Sequence, residues 1–451
     1  MENSKFKKEY KLKQHTMLLH FQAKPSSGEN VCLRASEVKP KLDRFILKKL
    51  GEIKTVKEKY SSWIQAEHLN GEDVAFKYRM TIVRCSERMN IYETDHRSSF
   101  EKRNGVPEPE FVLPNIYYGN MGDGPERYGV FFIDGLKIQI TCFIPDLKNF
   151  IDKYIAEFFA VTNFGTMQNK GFGSFTIEGT DDNTVIEALK NNYDSKKCFK
   201  IAVNQSGYDN DTQKELFDTV KQVYSVMKSG QNIMKKEKGK LVTNCDKYIR
   251  SFIYEYMHNE YKVNGERVNI GNEKAYLKKK GIAPIRTTHE PKNEHECDKQ
   301  SDIDNNDFRF VRSLLGIAEN IEWNEPEDEQ ASDKLRKEKI SISDITYSDE
   351  KDKNIARCPS PIFLKIIGSN IYFTANNPNE KTFERKFEFT NNGYTKGNAK
   401  KSTRYNKSGT LSTLDKNEGK SFDIADFLTR YKDYYNKNIK KLKIKFQIKE
   451  V

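Results

Sequence analysis

Apolar positions along this chain recur at two spacings, and the alternation between them divides it into strands and helices. Thr16 to Phe21 is an apolar run of strand length, and a Pro-Ser-Ser-Gly turn follows at Pro25 to Gly28. Over Glu37 to Leu50, residues Val38, Leu42, Phe45, Ile46 and Leu50 fall at helical spacing. Pro40 lies near the start of that helix, where a missing N–H is harmless. Val74 to Arg84 alternates in the manner of a strand, with basic residues on one face. Tyr128 to Phe143 holds two β-rich runs split by Asp134–Gly135, a hairpin signal. From Pro145 to Thr162, residues Leu147, Phe150, Ile151, Tyr154, Ile155, Phe158 and Phe159 mark one apolar helix face. A glycine-rich loop then leads into a strand over Ser174 to Glu178.

Strand, helix, strands, helix, strand is the order of a ferredoxin-like domain. The second half repeats that order more loosely. Cys198 to Val203 reads as a strand, and Thr212 to Tyr261 as helical, with Leu216, Val220, Val223 and Met227 in one series and Tyr248, Phe252 and Tyr256 in another. Ser360 to Ala375 reads as a hairpin turning at Gly368 to Asn370, Phe422 to Tyr435 as a helix, and Lys441 to Ile448 as an alternating strand. The expected fold is α+β: tandem ferredoxin-like (RRM-like) domains with antiparallel sheets and with loop and helical insertions. Residues 1–185 form the first domain and 186–451 the second, which includes a helical region at about 210–280 and an acidic insertion at about 290–350. The insertion reads as solvated loops with short helices, and the Gly- and Asn-rich segment 391–410 as a flexible loop.

Composition narrows the class. A chain of 451 residues accommodates two or three domains, and its 36% hydrophobic content suffices for their cores. No apolar stretch approaches the roughly 18 residues of a membrane helix. The charged segment Met1 to Lys13 lacks the apolar centre of a secretory signal. A cytoplasmic protein without a membrane partner is expected. Seven cysteines occur singly with no Cys-x-x-Cys pair, which argues against a disulfide framework and a zinc ribbon. His289, His295 and Cys297 are irregularly spaced and have no evident fourth ligand, so no metal and no cofactor is expected. The net charge of +12 suits a polyanionic partner, although basic surfaces also serve solubility.

The most informative segment is Asn163 to Phe175, N-F-G-T-M-Q-N-K-G-F-G-S-F. Gly165, Gly171 and Gly173 permit left-handed backbone and close approach. Gln168 and Asn169 bring amides, Lys170 a cation, and Phe172 a flat ring for a base or for core packing. Such a loop suits a sugar–phosphate backbone, but an ordinary structural turn has the same composition. Neither a Walker loop nor a dinucleotide fingerprint fits its helix-to-strand order. In a ferredoxin-like fold the first helix borders the same groove, which adds Arg34, Lys39, Lys41 and Arg44. Catalytic chemistry is sparse. Glu37 and Asp43 face differently on their helix and do not converge on an ion. His20, at the end of the first apolar run, is the best placed of the seven histidines as an acid or base, although a partly buried strand histidine looks the same in sequence.

The helix, the run F-G-T-M-Q-N-K-G-F-G-S-F and the strand after it resemble the glycine-rich loop of the RAMP superfamily of CRISPR-associated proteins. Gly165, Lys170, Gly171, Phe172, Gly173 and Ser174 carry the match. Leu33 to Phe45 stands where that superfamily has a polar turn and a basic helix start near the guide RNA, and Cys358 to Lys365 resembles the Ser-Pro-Ile strand start of some members. The usual Pro-Gly-Ser-Ser-Leu-Lys-Gly turn is replaced here by Leu33 to Lys41. The resemblance implies a guide-RNA-binding subunit of an antiviral effector complex, with single-stranded guide RNA and other complex subunits as partners. RNA contacts would come from Arg34, Lys39, Lys41, Arg44, Gly165, Gln168, Asn169, Lys170, Gly171, Phe172 and Gly173, and secondarily from Arg309, Arg312, Lys396, Lys400, Lys401 and Arg404. Two alternatives stay open: a metal-independent endoribonuclease processing CRISPR repeat RNA, and an assembly protein that binds no RNA.

Overall fold

Strand alternation begins earlier than the apolar runs suggest. Lys7–Gln14 forms β1, with Lys7, Glu9, Lys11 and Lys13 on one face and Tyr10, Leu12 and Gln14 buried on the other. Among its described residues the Thr16 to Phe21 run yields only β2 (Leu18–His20), which joins a different sheet. After these come α1 (Ala35–Leu50), β3 (Arg79–Arg84), β4 (Met89–Glu93), β5 (Tyr128–Phe132), β6 (Leu136–Thr141), α2 (Pro145–Ala160) and β7 (Phe175–Ile177). The computed structural model describes residues 5–20, 33–67, 73–93, 128–204, 207–237, 240–260, 262–263, 266–267, 270–283, 307–326, 335–393, 404–419, 422–442 and 445–451.

The first sheet has the order β3-β6-β1-β7, with antiparallel pairing throughout. Numbered within the sheet this is 2-3-1-4, the split βαβ arrangement of a ferredoxin-like fold. Its core joins Val38, Leu42 and Ile46 of α1 and Leu147, Ile151, Ile155 and Phe158 of α2 to Leu12, Leu136, Ile138 and Ile140 of the sheet. Burying each such side chain contributes about 1.5–3 kcal/mol.

Two sequence expectations are corrected here. Asp134–Gly135 is a turn, but the strands it joins do not pair with each other: β5 pairs with β2 and β4, and β6 with β1 and β3. Gln14 shows why, since its buried amide ties β1 to β5. Nε2 donates to the Val130 carbonyl at 2.8 Å, and Oε1 accepts from the Phe132 N–H at 2.8 Å. The Val74 to Arg84 run is also two strands, because Val74–Phe76 pairs with Ile64–Glu67 apart from β3.

Further along lie α3 (Asp182–Asn192), β8 (Phe199–Ala202), α4 (Asn210–Lys228), β9 (Gln231–Glu237), β10 (Lys240–Ile249) and α5 (Phe252–Glu260). They are followed by β11 (Asn320–Pro326), β12 (Leu335–Asp344), β13 (Ile362–Ile367), β14 (Asn370–Ala375), β15 (Lys386–Asn391), β16 (Ser408–Ser412) and α6 (Ile424–Lys437). The chain divides into two compact units: residues 1–220 with 363–374 and 451, and residues 221–362 with 375–450. In the first unit β14 pairs antiparallel with β8, the Gly368–Ser369 turn joins it to β13, and the Val451 N–H donates to the Cys198 carbonyl at 3.0 Å. Strand, helix, hairpin and helix thus recur in chain order, in a fold of the α+β class consistent with tandem ferredoxin-like domains.

In the second unit β11-β12-β15-β16 form an antiparallel sheet over Ile340, Ile342, Phe387, Phe389 and Leu411. Parts of the acidic insertion are therefore strands, where loops and short helices were expected. A second correction concerns Thr212 to Tyr261, whose helix stops at Lys228 and gives way to the hairpin β9–β10. Gly230 disfavours continuation of the helix, and β-branched Ile233, Val242 and Thr243 favour strands there. Lys441 to Ile448 contains no strand among its described residues, although Phe446 and Ile448 are buried in alternation. His289, His295, Cys297, Lys396, Lys400, Lys401 and the Pro25 to Gly28 turn lie outside the described residues.

Candidate nucleic-acid interface

The glycine-rich segment leaves α2 at Asn163 and reaches β7 at Ser174, and these two residues face each other in an antiparallel bridge. Gly173 shows why side chains are excluded. Its φ is +60°, and a Cβ there would lie 2.0 Å from the Phe164 carbonyl oxygen. Hydrogen bonds lace the loop to three neighbours. From the chain before β2, Thr16 Oγ1 donates to the Gly171 carbonyl at 2.7 Å and accepts from the Ser174 N–H at 3.0 Å. In α1, Glu37 Oε1 accepts from the Gly165 N–H at 2.5 Å, and Lys41 Nζ donates to Gln168 Oε1 at 2.7 Å and the Asn163 carbonyl at 3.0 Å. On β13, the Leu364 N–H donates to the Asn169 carbonyl at 3.0 Å, and Ser174 Oγ donates to the Ile366 carbonyl at 2.6 Å.

Lys365 completes this lacing. It is fully buried, and its Nζ lies 2.7 Å from the Phe159 carbonyl, 2.9 Å from those of Thr162 and Phe175, and 3.1 Å from Asn163 Oδ1. Burial pushes its amine well below the ordinary lysine range. Carbonyls at the C-terminal end of α2 supply compensating negative potential. Nothing local marks this residue except a lone lysine within the apolar run P-I-F-L-K-I-I, which must find partners if the strand is buried. His15 is another buried polar group beside the loop. Its Nδ1 accepts from the Gly368 N–H at 3.2 Å, and its Nε2 lies 2.8 Å from Thr176 Oγ1. Burial, followed by the charges of Lys365 and Lys13, holds its pKa down at about 3, so the ring is neutral.

The structure brings α1 and the loop together, but it distributes their residues over different tasks. Arg34 is the exposed N-cap of α1, and Arg44 is exposed with Asp73 3.7 Å away. Lys39 is turned inward: it donates to Asp43 at 2.7 Å and to the Phe76 carbonyl at 3.1 Å, over the Tyr78 ring. Lys41 is engaged as above, and burial lowers its pKa. Burial does the same to Lys170, whose backbone bridges Leu364. Phe172 is 1% exposed, with its ring stacked on Phe217 at 3.8 Å, so of its two possible roles the geometry shows core packing. The N–H groups of Gly165, Thr166, Lys170, Gly171, Gly173 and Ser174 all donate within the protein. The loop is thus a fastened scaffold, and the exposed cations stand on the helix beside it. Among the secondary candidates, Arg312 forms a buried ion pair with Glu273, Arg309 pairs with Asp307, and Arg404 meets Glu338 at 2.9 Å. The backbone of His20 pairs with Tyr128, and its side chain lies outside what is described.

Comparison with known families gives two matches that together run through most of the chain. The model of the Cmr1 N-terminal domain matches residues 5–231, and that of the Cmr1 C-terminal domain matches residues 248–450. No curated protein sequence matches the chain. Among the described residues no helix is long and apolar enough to cross a membrane.

Proposed function

Because this chain belongs to the Cmr1 family of RAMP-superfamily subunits of type III-B CRISPR effector complexes, we propose that it binds single-stranded guide RNA within such a complex, in the cytoplasm, as part of antiviral defence. One observation carries this reading: Glu37 and Lys41 fasten α1 to the glycine-rich loop, so that Arg34 and Arg44 stand on a pre-organised wall. Guanidinium groups suit phosphates because their planar fork donates two parallel hydrogen bonds. Lys39, Lys41, Gln168, Asn169 and the glycines act by holding that wall in place, and Phe172 anchors the loop to the core. Division of the chain near residue 185 belongs to the same reading, supported by closure of the first sheet at Ile177.

Titrating the full chain with a labelled single-stranded repeat RNA tests this. Arg34→Ala with Arg44→Ala is expected to weaken binding and to flatten the dependence of log K on log salt by about 0.7 for each lost phosphate contact. Both side chains are exposed, so the melting temperature stays put. Unchanged affinity and an unchanged salt slope would sink the proposal.

A further inference from the structure

The first sheet has a second face, turned away from α1 and α2. Cross-strand register sets its side chains in rows: Arg79, Thr141 and Lys7, then Thr81, Gln139 and Glu9, then Val83, Lys137 and Lys11. Lys13 continues the face beside Thr176. Residues directly opposite in such rows have Cβ atoms about 5 Å apart, so these charges act as one patch. Among the described residues these five cations meet Glu9 and Glu178, and the charge of Asp134 also acts on Lys11. Glu9 is shared by Lys7 at 3.3 Å, Lys137 at 3.4 Å and the Gln139 amide at 2.8 Å, and Glu178 pairs with Lys11 at 2.8 Å. Among the described residues no carboxylate pairs with Arg79 or Lys13, and both are exposed.

At the Arg79–Lys7 end stands a pair of rings. Phe143 is 72% exposed and Phe6 37%, with centroids 5.3 Å apart and planes inclined at 46°. The Cys142 N–H donates to the Phe6 carbonyl at 2.9 Å, which fixes one ring's backbone against the other's. Single exposed apolar residues need no explanation, but two touching rings beside a run of cations are a different matter. Cations for phosphates interleaved with aromatic faces for bases are what single-stranded nucleic acid requires.

We infer that this sheet face is a second RNA-binding surface, on which a single strand runs along Arg79, Lys7, Lys137, Lys11 and Lys13 with a base stacked at the Phe6–Phe143 pair. It shares the class of ligand of the helix-and-loop wall but uses none of its residues, and it stands if that wall fails. The charge of the patch selects RNA over a neighbouring protein subunit, the other occupant that exposed rings could serve.

The test uses the full chain and a fluorescent oligouridylate carrying 4-thiouridine. Irradiation is expected to give adducts at Phe6 or Phe143, and these persist in the Arg34→Ala/Arg44→Ala variant. Phe6→Ala with Phe143→Ala should weaken binding roughly tenfold, the scale of one lost base stack. Lys13→Gln with Arg79→Gln should lower the log–log salt slope by about 1.4, at about 0.7 per charge. An unchanged circular dichroism spectrum checks that each variant is folded. Adducts confined to other residues, with affinity and slope unchanged in both variants, overturn the inference. So does loss of the ring variant from the assembled complex while its RNA affinity stays intact, an outcome that assigns the face to a protein partner.

Discussion

Lys365 shows how much of this structure turns on single buried polar groups. Its amine faces four oxygens in the protein interior, and replacing it leaves them without a donor. An orphaned buried acceptor costs about 1–3 kcal/mol, so Lys365→Met, which keeps the length of the side chain, is expected to cost roughly 3 kcal/mol or more. A fall in the urea midpoint of the first unit's unfolding checks this, and a midpoint equal to wild type refutes it. His15 makes a second prediction at this scale. With a native pKa of about 3 against an ordinary 6.5, it is protonated in the unfolded chain but not in the native one between those values. The unfolded state then binds the extra proton, so this contribution to stability is complete above pH 6.5 and shrinks as the pH falls towards 3, by roughly 1.4 kcal/mol per unit at most. His15→Gln should flatten the decline of urea midpoints across that window. An identical pH dependence in wild type and variant would exclude His15 as its source.

At the scale of elements, the loop behaves as a part of the β13 packing surface. A Cβ on Gly171, whose φ is +86°, would lie 2.8 Å from Ile366 Cδ1. Gly171→Val is therefore expected to destabilise the fold by about 1–3 kcal/mol, and any loss of RNA binding should track the loss of folded protein in a melt. Lost affinity with an unshifted melt would mean instead that the loop touches RNA directly. Legibility from sequence follows the same logic of faces. Helices α1 and α2 could be read because their apolar stripes are continuous. Strand β1 could not, because Tyr10 and Leu12 are its only apolar residues among five charged ones, and the contacts that hold those charges, such as Lys11 with Glu178 and Lys8 with Asp152, come from positions far away in the chain. Strand β12 hides for a related reason, since its buried face includes Glu338, satisfied by Arg404 and by the Asn391 amide at 2.9 Å.

For the molecule as a whole, the sequence of element types was legible while strand partnership was not. Ferredoxin-like order follows from local periodicity. The pairing of β5 away from β6, and the contribution of residues 363–374 to the first unit, depend on contacts between distant positions. The helix-and-loop site was half legible for that reason: glycines and basic residues announce themselves, but Lys365 is 206 positions from Phe159, which it clamps. That separation imposes a delay on biosynthesis. At ribosomal speeds of about 5–20 residues per second, the nascent chain presents its glycine segment on the order of ten to forty seconds before the clamping lysine emerges. A polypeptide released early, even one ending where the N-terminal family match ends at residue 231, carries the glycines without their clasp. Only a chain extended past Lys365 owns a closed loop.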